Sequence, residues 1–107
     1  MKNNNYIVLK LKSGETLFAC LLALDDKAIK ISDPWHVVNP NDAESLSLIE
    51  WLPYTDQKIV TLPSSHCYYI GELNKKFIKF YGSVILQSEI NKIKDNIRET
   101  MNDRNDY

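Results

Sequence analysis

The spacing of the apolar residues changes near Leu73, and this change limits what the chain can fold into. Before Leu73, short runs of alternating apolar and polar residues are typical of half-buried β-strands. After Leu73, apolar residues recur every three or four positions, as in an amphipathic helix, and Asn74 is a suitable N-cap for it. The sequence therefore predicts a mainly β fold over about residues 6–73, a helix over about 74–101 and a frayed polar tail over 102–107.

Turn signals divide the first part of the chain into five predicted strands. The segment 15–24 is long and rich in Leu and Ala, so a buried helix is the alternative there. The turns at Ser13-Gly14 and Asp25-Asp26 on either side of it favour a strand. Two prolines and two asparagines mark residues 33–42 as loop or strand edge, and Pro53 interrupts the fourth strand. The predicted strands span residues 6–12, 15–24, 28–32, 45–51 continuing at 58–62, and 67–73.

Length and composition restrict the class of protein. A chain of 107 residues is expected to form one domain, 1–107, with a small core. Its net charge of −1 argues against a general nucleic-acid coating protein. No apolar run reaches the roughly 20 residues that span a bilayer, and the N-terminus lacks the apolar core of a signal peptide. Cys20 and Cys67 lie in apolar segments, which indicates reduced thiols in a cytoplasmic protein.

Charge is distributed unevenly along the chain. Residues 31–57 contain five acidic residues and no Lys or Arg, whereas residues 74–98 contain six basic and two acidic residues. A polyanion is therefore expected to meet the helix or the turns of the first hairpins and to be repelled by the middle of the chain.

The pattern of strands, turns and apolar positions over about residues 6–73 resembles the Sm-like family. Gly14 stands at the turn glycine of the first Sm motif, and Ala19 stands where the family usually has a second glycine. The segment 60–70, VTLPSSHCYYI, is similar in length to the second motif, with Pro63-Ser64 in place of Arg-Gly. The family's helix before the first strand is missing, and a helix after the last strand is similar to Sm-like proteins of bacteriophage. The resemblance implies a small, strongly bent five-stranded barrel with a long C-terminal helix.

The resemblance also implies self-association. In Sm-like rings the fifth strand of one subunit pairs with the fourth strand of the next, in a head-to-tail contact that closes on itself. The implied partner is therefore the protein itself, as a homo-oligomeric ring. The candidate subunit-interface residues are Ile59, Val60, Leu62, Tyr68, Tyr69 and Ile70.

Single-stranded RNA is the ligand that the family implies. In Sm-like rings RNA bases lie near the pore, between the turn after the second strand and the turn after the fourth. This chain lacks the stacking aromatic, the asparagine and the arginine of that site, but its lysines offer phosphate contacts and its turn residues offer hydrogen bonds. The candidate RNA-binding residues are Asp26, Lys27, Lys30, Ser64, Ser65 and His66. The alternative is an assembly or scaffold module of the same fold that binds other proteins without RNA.

Other chemistries find little support in the sequence. His36, His66 and Cys67 match no known metal-ligand spacing. His66 and Cys67 are adjacent on a predicted strand, so their side chains are expected to point to opposite faces and not to form a nucleophilic pair. We therefore expect no enzyme activity, no metal and no cofactor. Trp35, Trp51 and Tyr54 are predicted to form a small separate core under the long fourth-strand hairpin, with contact to a partner protein as the alternative.

Overall fold

A computed structural model describes residues 5–39, 41–42, 44–53, 55 and 57–104, with side chains as far as residue 98. The chain divides into two compact units, Met1–Lys75 and Lys76–Tyr107. The expectation of a single domain stays a prediction. Elements of the first unit are strands β1 (Tyr6–Leu11), β2 (Thr16–Leu24), β3 (Ala28–Val38), β4 (Ser47–Glu50), β5 (Ile59–Pro63) and β6 (Cys67–Glu72), with a 3₁₀ helix (Ser64–His66) between the last two. Helix α1 (Lys75–Arg104) begins at the last residue of the first unit and continues in the second.

The described strands form one antiparallel sheet, which confirms the mainly β prediction. Its order is β4-β3-β2-β1-β6, and β5 also pairs with β3. The segment 15–24 is a strand and not a helix, as the flanking turns indicated. Gly14 has a φ of +104°, which L-residues rarely adopt, and its N–H donates to the Leu11 carbonyl at 2.9 Å. This turn folds β2 back against β1.

The strand count and the third strand differ from the prediction. β3 does not end at residue 32 but continues to Val38, and Pro34 within it is buried. Asp33 adopts a φ of +49°, and its N–H donates to the Lys58 carbonyl at 2.9 Å. A residue with positive φ lets a strand change direction without ending, which is why the proline does not stop this one. The predicted fourth strand is two strands: β5 pairs with residues 28–32 of β3 and β4 with residues 35–38, giving six strands instead of five.

The main core cluster is formed by residues of β1, β2 and β3. Alternate residues of β1 are buried, as the sequence pattern predicted, and they pack with small and branched residues from β2 and β3. Ala19 is fully buried, and the pairing of β2 with β3 shifts register beside it. A small side chain therefore sits where the strand is irregular. The core residues are Ile7, Leu9, Leu11, Leu17, Ala19, Ile29 and Ile31.

One tryptophan was assigned to the wrong cluster. Trp51 packs against the main core and not against a separate cluster under the hairpin. The reason is that β4 pairs with the far end of β3, so the chain leaving β4 returns towards the core face. Trp35 is half-buried, and Tyr54 lies outside the described residues.

Helix α1 confirms the change of period after Leu73 and extends three residues beyond the predicted end. It is continuous through Gly82. Tyr81 is fully buried, whereas four apolar side chains further along are exposed: Leu86, Ile90, Ile93 and Ile97. Over the described residues, no helix combines the length and the apolar character that crossing a membrane requires.

Candidate functional site

The turn between β2 and β3 is held in one conformation by Asp25. The Asp25 carboxylate accepts hydrogen bonds from the backbone N–H groups of Lys27 and Ala28, both at 2.8 Å. Both bonds lower the pKa of Asp25, and the bond from Ala28 has the larger effect. An Asp side chain that binds the backbone two and three residues ahead is a common turn-forming device. Asp26 and Lys27 are therefore presented on a fixed turn, and both side chains are exposed.

The 3₁₀ helix after β5 is bonded to that turn. The backbone N–H of Ser64 donates to the Lys27 carbonyl at 2.9 Å, and the Ser64 hydroxyl donates to the Asp25 carbonyl at 3.1 Å. The two turns predicted to form the RNA site are thus brought together, although Lys27 and Ser64 are 37 positions apart. Both donors of Ser64 are engaged in these bonds, so Ser64 positions the turns and offers a ligand its oxygen lone pair.

The remaining candidate RNA-binding residues surround this junction. Ser65 and His66 are exposed on the 3₁₀ helix. Lys30 is exposed on β3, where it lies opposite Thr61 of β5. Lys27 and Lys30 therefore lie on the turn and the strand that are bonded to the 3₁₀ helix and to β5, and both side chains are exposed. Such a group of side chains suits contacts to phosphate and sugar. The stacking aromatic that the family would place here is not supplied by these residues.

The candidate interface residues divide into two groups. Ile59, Tyr68 and Tyr69 are 45%, 64% and 51% exposed. The other three, Val60, Leu62 and Ile70, are half-buried and pack against the core. Pairing of β6 with β1 skips Tyr68, because Lys10 lies opposite Tyr69 and Leu11 opposite Cys67. This bulge directs two neighbouring tyrosines towards solvent instead of one.

A second group of hydrogen-bonded side chains, centred on Glu15, was not predicted from the sequence. The Trp51 Nε1–H donates to Glu15 Oε2 at 2.8 Å, and the Ser13 hydroxyl donates to Glu15 Oε1 at 2.7 Å. These two bonds, the Ser13 bond first, lower the pKa of Glu15; partial burial opposes them and His36 adds a small lowering. Glu15 and Trp51 are 36 positions apart, so no local spacing could have indicated the pair. Only the long-range pairing of β4 with β3 brings them together.

This group borders a cavity of about 310 Å³. Leu11, Leu62 and Trp51 form its apolar wall, and all three belong to or pack against the core. Its polar lining residues are Lys12, Ser13, Glu15 and His66. The backbone N–H of Lys12 donates to the His66 carbonyl at 2.8 Å, which ties the first turn to the 3₁₀ helix beside the cavity.

Neither cysteine forms a disulfide within the described residues, and both are half-buried. Burial raises the pKa of the Cys67 thiol, which keeps it protonated at neutral pH and poorly nucleophilic. In the part of the chain that the structure describes, no three His, Cys, Asp or Glu side chains are grouped so that they could hold a metal ion.

The sequence matches no family model, and it matches no curated protein. The resemblance to Sm-like proteins therefore stays a prediction that rests on the residues given above.

Proposed function

We propose that this protein is an Sm-like subunit that forms a ring with copies of itself and binds single-stranded RNA at the junction of its two turns. One observation carries the proposal. Within the described residues, β5 pairs only with β3 and β6 only with β1, although three residues join β5 to β6. Consecutive strands with so short a connection usually pair with each other, as in a hairpin. Here each of them keeps an open edge.

The short connection supports a sheet that curls into an incomplete barrel. A 3₁₀ helix rises only about 2 Å per residue, so the four steps from Pro63 to Cys67 span roughly 8 Å. Along the sheet, β5 and β6 are separated by β3, β2 and β1, which in a flat sheet is about 19 Å at ~4.8 Å per strand. The two distances agree only if the sheet is strongly curved.

The backbone hydrogen bonds of β5 indicate which groups its open edge presents. The Lys58 carbonyl accepts from Asp33, and the Ser64 N–H donates to Lys27, so even-numbered residues face β3. Alternate residues of a strand direct their N–H and C=O to opposite sides. Ile59, Thr61 and Pro63 therefore face the open edge. The Gln57 side chain donates to the Ile59 carbonyl at 2.9 Å, which agrees with this direction.

The edge of β6 is complementary. The Leu73 N–H donates to the Tyr6 carbonyl at 3.0 Å, so Leu73 and Gly71 face β1 while Ile70 and Glu72 face the open edge. The two edges can pair in an antiparallel register that places Thr61 opposite Ile70 of the next copy and Ile59 opposite Glu72. Each of these two residue pairs exchanges two backbone hydrogen bonds, so the contact forms about four. In that register Pro63, which lacks an N–H, lies opposite the bulged Tyr68. Regular pairing then ends at the same point on both edges.

A contact between two different edges is heterologous, and a heterologous contact that closes gives a ring. The turn junction is then repeated once per subunit. A flexible anionic strand that meets several junctions gains affinity because each further contact is intramolecular. Lys27 and Lys30 supply the phosphate contacts, and Ser65 and His66 supply hydrogen bonds to base or sugar.

The RNA part of the proposal is tested by fluorescence anisotropy with labelled U-rich and A-rich single strands at two salt concentrations. We expect saturable binding that salt weakens and that a Lys27→Ala, Lys30→Ala double variant loses by tenfold or more. If both lysines contact phosphate, the slope of log K against log salt falls by about 1.4 in that variant. The matched control is Lys92→Ala, Lys94→Ala on α1, which removes the same charge and should retain binding. Equal loss in the two double variants would contradict a site at the turns.

A ring that binds other proteins without RNA is the second candidate. It is favoured by the exposed apolar side chains of α1, which are 59%, 36%, 58% and 54% exposed at Leu86, Ile90, Ile93 and Ile97. Exposed branched residues in a row on a helix are typical of a contact surface. A closed ring that fails to bind either RNA at low salt would support this candidate instead.

A further inference from the structure

The cavity beside Glu15 combines an apolar wall with one fixed acceptor group. Leu11, Leu62 and Trp51 supply the apolar surface, and Glu15 lines the cavity with its carboxylate bonded to two other lining residues, Ser13 and Trp51. Each carboxylate oxygen already accepts one hydrogen bond, from Ser13 or from Trp51. A carboxylate oxygen has two lone pairs, so each retains capacity for one further donor. The two existing bonds hold the group in one orientation, as a preformed binding site requires.

The size of the cavity limits the ligand. Its volume of about 310 Å³ is at the lower end of the ~300–1,000 Å³ that small-molecule sites occupy. One nucleobase with its sugar is of this size, whereas a larger cofactor is not accommodated. The apolar wall favours a flat or hydrophobic body, and the carboxylate requires that this body carry N–H donors.

The charges beside the cavity favour a nucleobase over a cationic side chain as the ligand. Lys12 lines the cavity together with Glu15 and His66, and its exposed, flexible side chain can bring a positive charge that disfavours an arginine or lysine side chain and attracts a phosphate. A neutral base that donates to Glu15 while its phosphate lies near Lys12 uses both charges. His66 adds a further polar group that also belongs to the 3₁₀ helix at the turn junction.

Among the bases, guanine is the best match for a carboxylate. Its Watson–Crick edge places two donors, the ring N1–H and the exocyclic amino group, side by side. Adenine and cytosine offer one amino group next to an acceptor nitrogen that a carboxylate repels, and uracil offers one N–H between two carbonyl oxygens. Paired donors on a carboxylate form the bidentate, charge-assisted arrangement that is stronger than a single neutral bond.

From these observations we infer that the cavity lined by Leu11, Glu15, Trp51, Leu62 and His66 binds a guanine base, with Glu15 accepting from its Watson–Crick edge. The inference deepens the proposed function and rests on it in one respect: the guanine arrives as part of a single-stranded RNA. The site is distinct from the phosphate contacts at Lys27 and Lys30, and shares with that junction only His66.

The test is calorimetric titration of the full chain with the four nucleoside monophosphates. GMP is expected to bind saturably and at least tenfold more tightly than UMP. Glu15→Gln is expected to weaken GMP binding by roughly 10- to 100-fold, the range for losing hydrogen bonds to a charged group. Glu50→Gln on β4 is the matched control and should bind GMP as the wild type does. In a Trp35→Phe background, GMP should also change the fluorescence of Trp51.

A milder variant provides a second test in case the Glu15→Gln protein does not fold. Ser13→Ala removes one of the two bonds that orient the carboxylate, from an exposed turn, and should weaken GMP binding in the same direction by a smaller factor. Equal affinity for all four nucleotides, absence of saturation, or GMP binding unchanged in both variants would overturn the inference. Tighter binding of N-acetyl-arginine amide than of GMP would also overturn it, by showing a pocket for cationic side chains.

RNA titrations separate this inference from the proposed function. If RNA binds and loses affinity in the Lys27→Ala, Lys30→Ala variant but shows no preference for guanine and no effect of Glu15→Gln, the proposed function stands and the inference fails. If GMP binds through Glu15 but the assembled protein does not bind RNA, the inference about the cavity stands and the proposed function fails.

Discussion

Replacing Trp51 by Phe should destabilise the fold in a pH-dependent way. The substitution keeps an aromatic ring against the core but removes the N–H that donates to Glu15 at 2.8 Å. A hydrogen bond to a charged group contributes about 1.5–3 kcal/mol. Because the pair is only part-buried, solvent screening lowers the expected loss to about 1–2 kcal/mol at pH 7. The smaller ring adds a packing loss that does not depend on pH.

The sign of the pH dependence follows from the lowered pKa of Glu15. The folded state favours the ionised carboxylate, first through Ser13 and then through Trp51. That stabilisation is fully present above the unfolded-state pKa, about 4.3 for Glu. It is lost as the pH falls through the lower pKa of the folded state. The Trp51→Phe penalty should therefore be largest at pH 7 and shrink towards its packing part as the pH approaches 3.

Urea unfolding followed by far-UV circular dichroism, at one protein concentration and in steps from pH 7 to pH 3, measures this difference. Trp35→Phe is the matched control, since it also replaces an indole by a phenyl ring but leaves the Glu15 hydrogen bonds intact. The loss of unfolding free energy in this control should not vary with pH. A Trp51→Phe penalty that is the same at pH 7 and pH 3 would refute the claim that the indole stabilises the ionised carboxylate.

Two further predictions concern the core and the turn. Leu9→Ala, at a fully buried position, should cost about 2–5 kcal/mol of unfolding free energy, whereas Leu22→Ala, 49% exposed, should change it by no more than about 0.5 kcal/mol. Comparable losses in urea unfolding would argue against the assigned core. Asp25→Ala should speed hydrogen exchange of the Ala28 amide, which donates to its carboxylate, while Asp26→Ala should not. Unchanged exchange in Asp25→Ala would mean that the carboxylate does not hold the turn.

Strands and the helix could be predicted from the sequence where the local pattern of residues determines them. Alternation in β1 and the turn at Gly14 gave the first hairpin, and the three-to-four residue spacing after Leu73 gave α1. The continuation of β3 through Pro34 was not predictable, because it depends on the positive φ of Asp33 and on a bond to the Lys58 carbonyl from a distant segment. Proline and asparagine in sequence indicate a break in regularity, but only tertiary pairing decides whether the strand ends there.

The candidate site likewise has a part that the sequence predicts and a part that depends on long-range contacts. The meeting of the turns at Lys27 and Ser64 followed from the family resemblance, and the bonds between them agree with it. Glu15 could not be singled out from the sequence, because a glutamate after a turn is ordinary at a solvated surface. Its importance depends on Trp51, which reaches it only through the pairing of β4 with β3. Such long-range contacts leave no trace in local spacing.

Self-association through the two open edges is the central claim, and native mass spectrometry over a range of concentrations tests it most directly. Wild-type protein should give one assembly with a mass that is a fixed multiple of 12.4 kDa. Thr61→Pro removes the edge-facing N–H but leaves the bonds to β3, so it should reduce the assembly to monomer, while Thr61→Val, which keeps that N–H, should not. A wild-type monomer at every concentration, or an assembly that Thr61→Pro leaves intact, would contradict pairing of β5 with β6 of the next copy.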